Sequence, residues 1–235
     1  MVERKATSSL ERAANIAIIC VGLVIVWTQI VRPYFAATAG KVPVPKQTMS
    51  LDGVHTKGNQ ASRVVVIEFS DFQCPYCGEF SRSMLPAIES QFVDSSRVQF
   101  GFRHLPLAPI HPMAQKAAEA AECAATQGKF WQMHDLEFRH QNDLTEAGLD
   151  RLASELGLSP DQFAACMKGS AAQKVKADQA EASALGIVST PFFLIGTVEN
   201  DGRVKFLSVL KGVRSIEEFK TAIEKAEKAV GTPKP

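Results

Sequence analysis

The chain has 235 residues, 26 of them basic and 25 acidic, for a formal net charge of +1. Such a balance lacks the basic patch or stripe of a phosphate-backbone binder, and no nucleic-acid partner is expected. With an N-terminal segment set aside, roughly 190 residues remain, enough for one substantial core or a core domain carrying a sizeable insertion.

Residues 1–12 form a basic and polar flank with Arg4, Lys5 and Arg12. Residues 13–31 carry no charged side chain, and nineteen helical residues rise about 28 Å, close to the ~30 Å hydrocarbon thickness. Trp27, Arg32 and Tyr34 stand where interfacial anchors belong. Two readings compete. One is an uncleaved single-pass anchor that contacts the lipid bilayer through 13–31 and holds the rest of the chain outside the inner membrane. The other is a cleaved export signal, for which Ala37-Thr38-Ala39 offers a small-x-small site and which leaves a soluble periplasmic protein. Either exports the globular part. Residues 32–60, with Pro43, Pro45, Gly53 and Gly58, read as a linker with a short strand near its end.

Val64-Val65-Val66-Ile67-Glu68-Phe69 is a continuous apolar run broken by one carboxylate, the pattern of a central strand buried on both faces of an α/β sheet. Ser70-Asp71-Phe72-Gln73-Cys74-Pro75-Tyr76-Cys77 follows. A helix then begins, with Phe80, Met84, Ile88 and Phe92 recurring every four residues. Pro75 suits a first helical turn, which places Cys74 at the N-cap and Cys77 one turn in. Free N–H groups and the helix dipole favour a thiolate at Cys74, and a low-pKa leaving group makes a disulfide more oxidising. Cys74 is the expected exposed nucleophile, Cys77 the resolving thiol facing the core, and Pro75 and Tyr76 the tuning pair. C-x-x-C also serves haem c, zinc and iron–sulfur sites. Gly78 stands where haem c attachment needs His, and no second C-x-x-C is present. His104 and His111 are the residues able to complete a metal site, but no metal and no cofactor is expected. A carboxylate buried in a central strand must be paired, hydrogen-bonded or neutral. Six residues before Cys74, Glu68 can lie beneath the pair as a proton relay for Cys77, or reach solvent at the sheet edge.

Downstream lies a helical stretch that cannot complete a sheet and reads as an insertion. Ala114–Gln127 stops at Gly128. Phe130, Trp131, Met133, His134 and Phe138 form an aromatic patch bracketed by His134 and His140, read as core rather than a ligand box. Thr145 caps a helix through Leu156, Ser159-Pro160-Asp161 opens another, and Ala171–Leu185 is a third. Cys123 and Cys166, 43 positions apart, form a structural disulfide stabilising by roughly 4 kcal/mol or remain two reduced core thiols. The loop with His104, Pro106, Leu107, Pro109, His111 and Pro112 is a candidate wall of a substrate groove.

Gly186-Ile187-Val188-Ser189-Thr190-Pro191 is a turn leading into the strand Phe192–Gly196, and a Pro is tolerated at a strand head. The Thr190–Pro191 isomer is not fixed by sequence. Asp201-Gly202-Arg203 signals a hairpin. Val204, Phe206 and Leu207 form its partner strand, and a helix capped by Ser215 and Glu218 runs to Val230.

Taken together, Glu68–Cys77, the His111-Pro112 loop before an Ala-rich helix, Gln127–Trp131 and Gly186–Pro191 resemble the thioredoxin-fold disulfide oxidoreductases of the bacterial periplasm. The similarity is to the DsbA-like group with a helical insertion, over residues 60–230. It implies an α/β thioredoxin-like fold with a central mixed sheet and an inserted all-helical subdomain. The parts would be 61–106 with the C-x-x-C, the insertion 107–186, 187–230 with the proline segment, and a tail 231–235. It further implies that Thr190–Pro191 is a cis segment contacting substrate polypeptide, that Cys74 attacks and Cys77 resolves, that Glu68 is the buried acid, and that Cys123 and Cys166 form a second bridge. The activity implied is insertion of disulfides into exported polypeptides with free thiols, by a monomer reoxidised by a quinone-linked membrane partner. The alternative is a reductase or isomerase kept reduced by a membrane electron donor, or a non-redox polypeptide-binding chaperone. Tyr76 stands where strongly oxidising members commonly carry His, which argues against a very high potential.

Overall fold

The computed structural model describes residues 9–31 and 42–231, and the chain divides into two units, Met1–Val42 and Pro43–Pro235. In the first, α1 spans Ser9–Val26 and continues as a π-helical stretch over Trp27–Val31. Ile16, Ile18, Leu23 and Trp27 are exposed, as is Cys20. The membrane span expected over 13–31 finds no support here: among the described residues, no helix is long and apolar enough to cross a membrane. Because α1 starts at Ser9, Glu11 and Arg12 occupy its first turn. Arg4, Lys5, Arg32, Tyr34, the Ala37-Thr38-Ala39 site and residues 232–235 lie outside the described residues.

The second unit is built on six strands: β1 Met49–Ser50, β2 His55–Lys57, β3 Val64–Ser70, β4 Gln99–His104, β5 Phe192–Val198 and β6 Arg203–Lys211. Their spatial order is β1-β6-β5-β3-β4-β2. β3 pairs parallel with β4, and every other pairing is antiparallel. All seven residues of β3 are buried, as a central strand covered on both faces requires. Residues 49–57, within the stretch whose composition suggests a linker, instead supply both edge strands. With two or three residues each, these strands are too short for any period to show in sequence.

After β3 a helical run is formed by α2 Pro75–Glu79, a π turn Phe80–Met84, α3 Leu85–Ile88 and a second π turn Glu89–Val93. A strict four-residue apolar spacing drifts by about 40° per step on an α-helix of 3.6 residues per turn. The wider π turns absorb that drift, so Phe80, Ile88 and Phe92 all reach the core. Between β4 and β5 come α4 Ala114–Ala125, α5 Phe130–Arg139, α6 Glu146–Glu155, α7 Pro160–Met167 and α8 Ser170–Ala184. Thr145 and Ser159 cap α6 and α7. Ile216–Val230 forms α9, behind a complete Ser215/Glu218 capping box.

Strand alternation sorts the core. Val64, Val66, Phe193 and Ile195 pack with Phe80, Ile88, Phe92, Phe219 and Ile223 on one face. Val65, Ile67, Phe69, Phe192 and Leu194 pack with Met49, Ala182 and Phe206 on the other. Phe80 lies 4.5 Å from the Phe193 ring and 5.7 Å from the Phe219 ring, centroid to centroid. Burying such a side chain stabilises by about 1.5–3 kcal/mol, which fixes the helical run, and hence the cysteine pair, against the sheet. A third cluster fills the helical insertion and includes Phe72, Cys74 and Cys77.

Candidate active site

The C-x-x-C loop leaves the C-terminal end of β3. Cys74 is the N-cap of α2 in extended backbone, and Pro75 occupies the first helical turn. The Gly78 amide donates to the Cys74 carbonyl at 3.1 Å. Both sulfurs are free. Against the expectation of an exposed nucleophile, Cys74 is only 4% exposed, and Cys77 is 0% exposed. The difference arises from the opposite wall, because the Cys74 thiol lies against the Thr190 carbonyl at 3.7 Å.

That wall is set by the end of α8. Gly186, at φ 71°, lies in the left-handed region where only glycine sits without strain. Its amide donates to the Ser183 carbonyl and that of Ile187 to the Ala182 carbonyl, a Schellman ending. Four residues later the Thr190–Pro191 peptide is cis. Phe192 then pairs with Phe69 at the end of β3, which brings Thr190 beside Cys74.

Electrostatics separate the two thiols. Cys74 is lowered from 9.0 to about 6, chiefly because the Cys77 thiol hydrogen-bonds to its sulfur. Thr190 and the amides of Cys77 and Tyr76 add to this, while burial opposes it. Burial pushes Cys77 well above the usual thiol range, and its hydrogen bond to Cys74 and the charge of Glu68 raise it further. Glu68 is fully buried, and burial lifts it from 4.5 to about 8, against the pull of the Ser70 hydroxyl. It shares the β3 face of Val64 and Val66, beneath the helical run. By geometry neither of its oxygens, nor the Ser70 hydroxyl, completes a hydrogen bond among the described residues, so Ser70 offsets burial only as a nearby dipole. The edge alternative is thereby excluded, since β3 lies between β4 and β5.

Sequence reasoning missed Asp71, Gln73 and Gln141. Buried Asp71 accepts from the Gln73 amide at 2.7 Å and from the Leu107 amide at 2.7 Å, and lies 2.8 Å from His111 Nδ1. Gln73 Oε1 accepts from the Met113 amide at 2.6 Å. The loop carrying His111 is thus fastened to the active-site loop, with Ile110 exposed, as are Tyr76 and Val188. A polar pair just ahead of a C-x-x-C is a visible signal, but its partners forty residues on are not.

His104 and His111 do not converge on the cysteines. His104 Nε2 and His55 Nε2 both meet Glu122 Oε1, at 2.8 and 2.7 Å, and these three atoms could hold a cation. Burial works against ionisation of Glu122, but the hydrogen bonds from the two histidines overcome it and keep the carboxyl well below its usual range. The Lys174 ammonium, 4.0 Å from the same oxygen, already supplies positive charge there. His134 is a core residue, 5.1 Å from the rings of Phe102 and Trp131. Cys123 and Cys166 are joined in a disulfide between α4 and α7.

A family model described as thioredoxin matches residues 50–225. The chain belongs to the thioredoxin family. Among solved structures, BdbD from Bacillus subtilis in its oxidised form is 26% identical with a TM-score of 0.67, covering 79% of this chain and 98% of that one. The alpha-DsbA1 of Wolbachia pipientis is 22% identical with a TM-score of 0.65, covering 76% and 92%, and speaks for the fold alone. A protein of Salinispora tropica named Na(+)/H(+) antiporter NhaA 3 is 41% identical over 152 residues, 64% of this chain and 23% of that protein. The chain spans about a quarter of the length of the curated relatives it matches. This thioredoxin-family member thus has the DsbA-like fold with its helical insertion.

Proposed function

We propose that the enzyme donates disulfides to exported polypeptides through Cys74 and Cys77. The observation that carries this reading is Cys74 at the start of a helical run, lowered to about 6, with its sulfur 3.7 Å from the Thr190 carbonyl. A thiolate stable at neutral pH stabilises the reduced pair, and a stabilised reduced form is what makes a disulfide a strong oxidant. In the first step a substrate thiolate attacks Cys74 of the Cys74–Cys77 disulfide. A mixed disulfide forms at Cys74 and the electron pair leaves on Cys77, whose high proton affinity draws a proton, with Glu68 beneath it as the relay. A second substrate thiolate then attacks the mixed disulfide. The substrate leaves oxidised by two electrons, and Cys74 leaves as the thiolate. The enzyme ends with both thiols reduced, so turnover needs a two-electron oxidant, and a quinone-linked membrane oxidase fits that requirement.

Thr190 and Pro191 are assigned to holding the substrate backbone, and Pro75 and Tyr76 to tuning the pair. The compartment is the periplasm, where the Cys123–Cys166 disulfide persists without reduction by cytosolic thiols, and the working form is a monomer. Tyr76 between the cysteines favours a second reading, a reductase or isomerase kept reduced by a membrane electron donor. The assignment of roles is tested by replacing each cysteine with Ser and probing for substrate adducts by mass spectrometry. Cys77→Ser should accumulate mixed disulfides at Cys74, and Cys74→Ser should form none. Adducts at Cys77 in the Cys74→Ser protein, with activity kept, would overturn the assignment.

A further inference from the structure

Gly78 follows Cys77 inside a helix, where glycine is the poorest former after proline. It is absent from the glycines with positive φ, so backbone conformation does not require it. What requires it is a neighbour: a Cβ at residue 78 would collide with the Gln141 side-chain oxygen. Gln141 opens the short 3-10 turn Gln141–Asp143 that follows α5, and its side chain reaches from the helical insertion to the C-x-x-C loop. Its Nε2 donates to the Phe72 carbonyl at 2.7 Å and to the Cys74 carbonyl at 3.0 Å. Its Oε1 accepts from Arg82 Nη1 at 3.1 Å, and that same nitrogen donates to the Phe138 carbonyl at 2.7 Å. Arg82 thereby orients the amide, and the amide spends both donors on backbone flanking Cys74.

We propose that Gln141 is a positioning residue for the redox pair, holding the Phe72 and Cys74 carbonyls through the gap left by Gly78 and so stabilising the dithiol form. The inference rests on the reading of Cys74 and Cys77 as that pair. The sign follows from what restrains the loop in each redox state. In the disulfide the S–S bond itself ties the turn. In the dithiol that tie is gone, and the Gln141 amide joins the Gly78 amide on the Cys74 carbonyl in keeping the Cys74 sulfur beside the Cys77 thiol and the helix-start amides. Losing the amide costs the dithiol more than the disulfide, so the pair becomes a weaker oxidant.

The test equilibrates the full chain with glutathione buffers and reads the Cys74–Cys77 couple by alkylation and mass, alongside thiolate absorbance against pH. Gln141→Ala should shift the equilibrium constant toward the disulfide about three- to tenfold, the worth of a typical net hydrogen bond. That corresponds to a potential about 15–30 mV more negative, with Cys74 ionising at higher pH. Gly78→Ala should shift both readouts the same way by displacing the amide. In the double variant the Gly78→Ala change should add little, because only the flexible end of Arg82, 2.7 Å from such a Cβ, is left to displace. A Gln141→Ala protein whose couple and Cys74 ionisation match the wild type, even with a lower melting temperature, would overturn the inference alone. A wild-type chain with no Cys74–Cys77 couple would overturn both it and the proposed function.

Discussion

Replacing Glu68 with Gln isolates the buried acid, and the effect can be worked through from its surroundings. Burial raises the carboxyl from 4.5 to about 8. Between those values the folded protein keeps a proton that the unfolded chain has released, so stability falls as pH rises through the window. Integrated from pH 5 to pH 8, that single group removes on the order of 3–4 kcal/mol. Cys74 has the opposite sign. Lowered from 9.0 to about 6, it adds stability as pH climbs through that range and loses it as pH falls through 6. The thiol is present in both proteins, so its slope drops out of their difference except for the part that comes from its charge interaction with Glu68. Urea unfolding of the reduced full chain, wild type against Glu68→Gln, at pH 5 and pH 8 measures that difference. The variant should gain on the order of 3–4 kcal/mol on the wild type between the two pH values. Stability differences that stay constant across them would mean that Glu68 ionises normally in the fold, and the proton-relay assignment would fall.

Turnover of Glu68→Gln should also slow, through the proton transfer at Cys77; unchanged kinetics from pH 5 to 8 would remove that role. Ultraviolet titration of the reduced protein should show one thiolate appearing near pH 6, absent in Cys74→Ser, with Cys77 ionising far higher. Removing the second bridge by Cys123→Ala with Cys166→Ala opens a 43-residue loop. This should cost about 4 kcal/mol of stability, a loss of under 1 kcal/mol being the contrary result in chemical unfolding.

Much of this architecture was legible because it is carried by local pattern. Val64–Phe69 reads as a doubly buried strand, and Ser215 with Glu218 reads as a helix start, and both are so. The four-residue spacing of Phe80, Met84, Ile88 and Phe92 marks a helix, yet only the structure reveals the π turns that the spacing requires. Met49–Ser50 and His55–Lys57 are held by pairing with β6 and β4, and long-range pairing of two or three residues leaves no period to read. At the site, Cys74 and Cys77 are visible as a spacing. The near-burial of Cys74 is not, because it depends on Thr190, 116 positions away. Gly78 was the overlooked signal: a glycine without a turn to make marks a close approach, here by Gln141.

The central claim is that the Cys74–Cys77 pair gives disulfides rather than removes them. Its most direct test is the reduction potential of the pair in the full chain, from equilibration with glutathione buffers. A disulfide donor should show a value toward the roughly −120 mV of strong periplasmic oxidants, whereas one near the roughly −270 mV of thioredoxin would contradict that reading and make the protein a reductase.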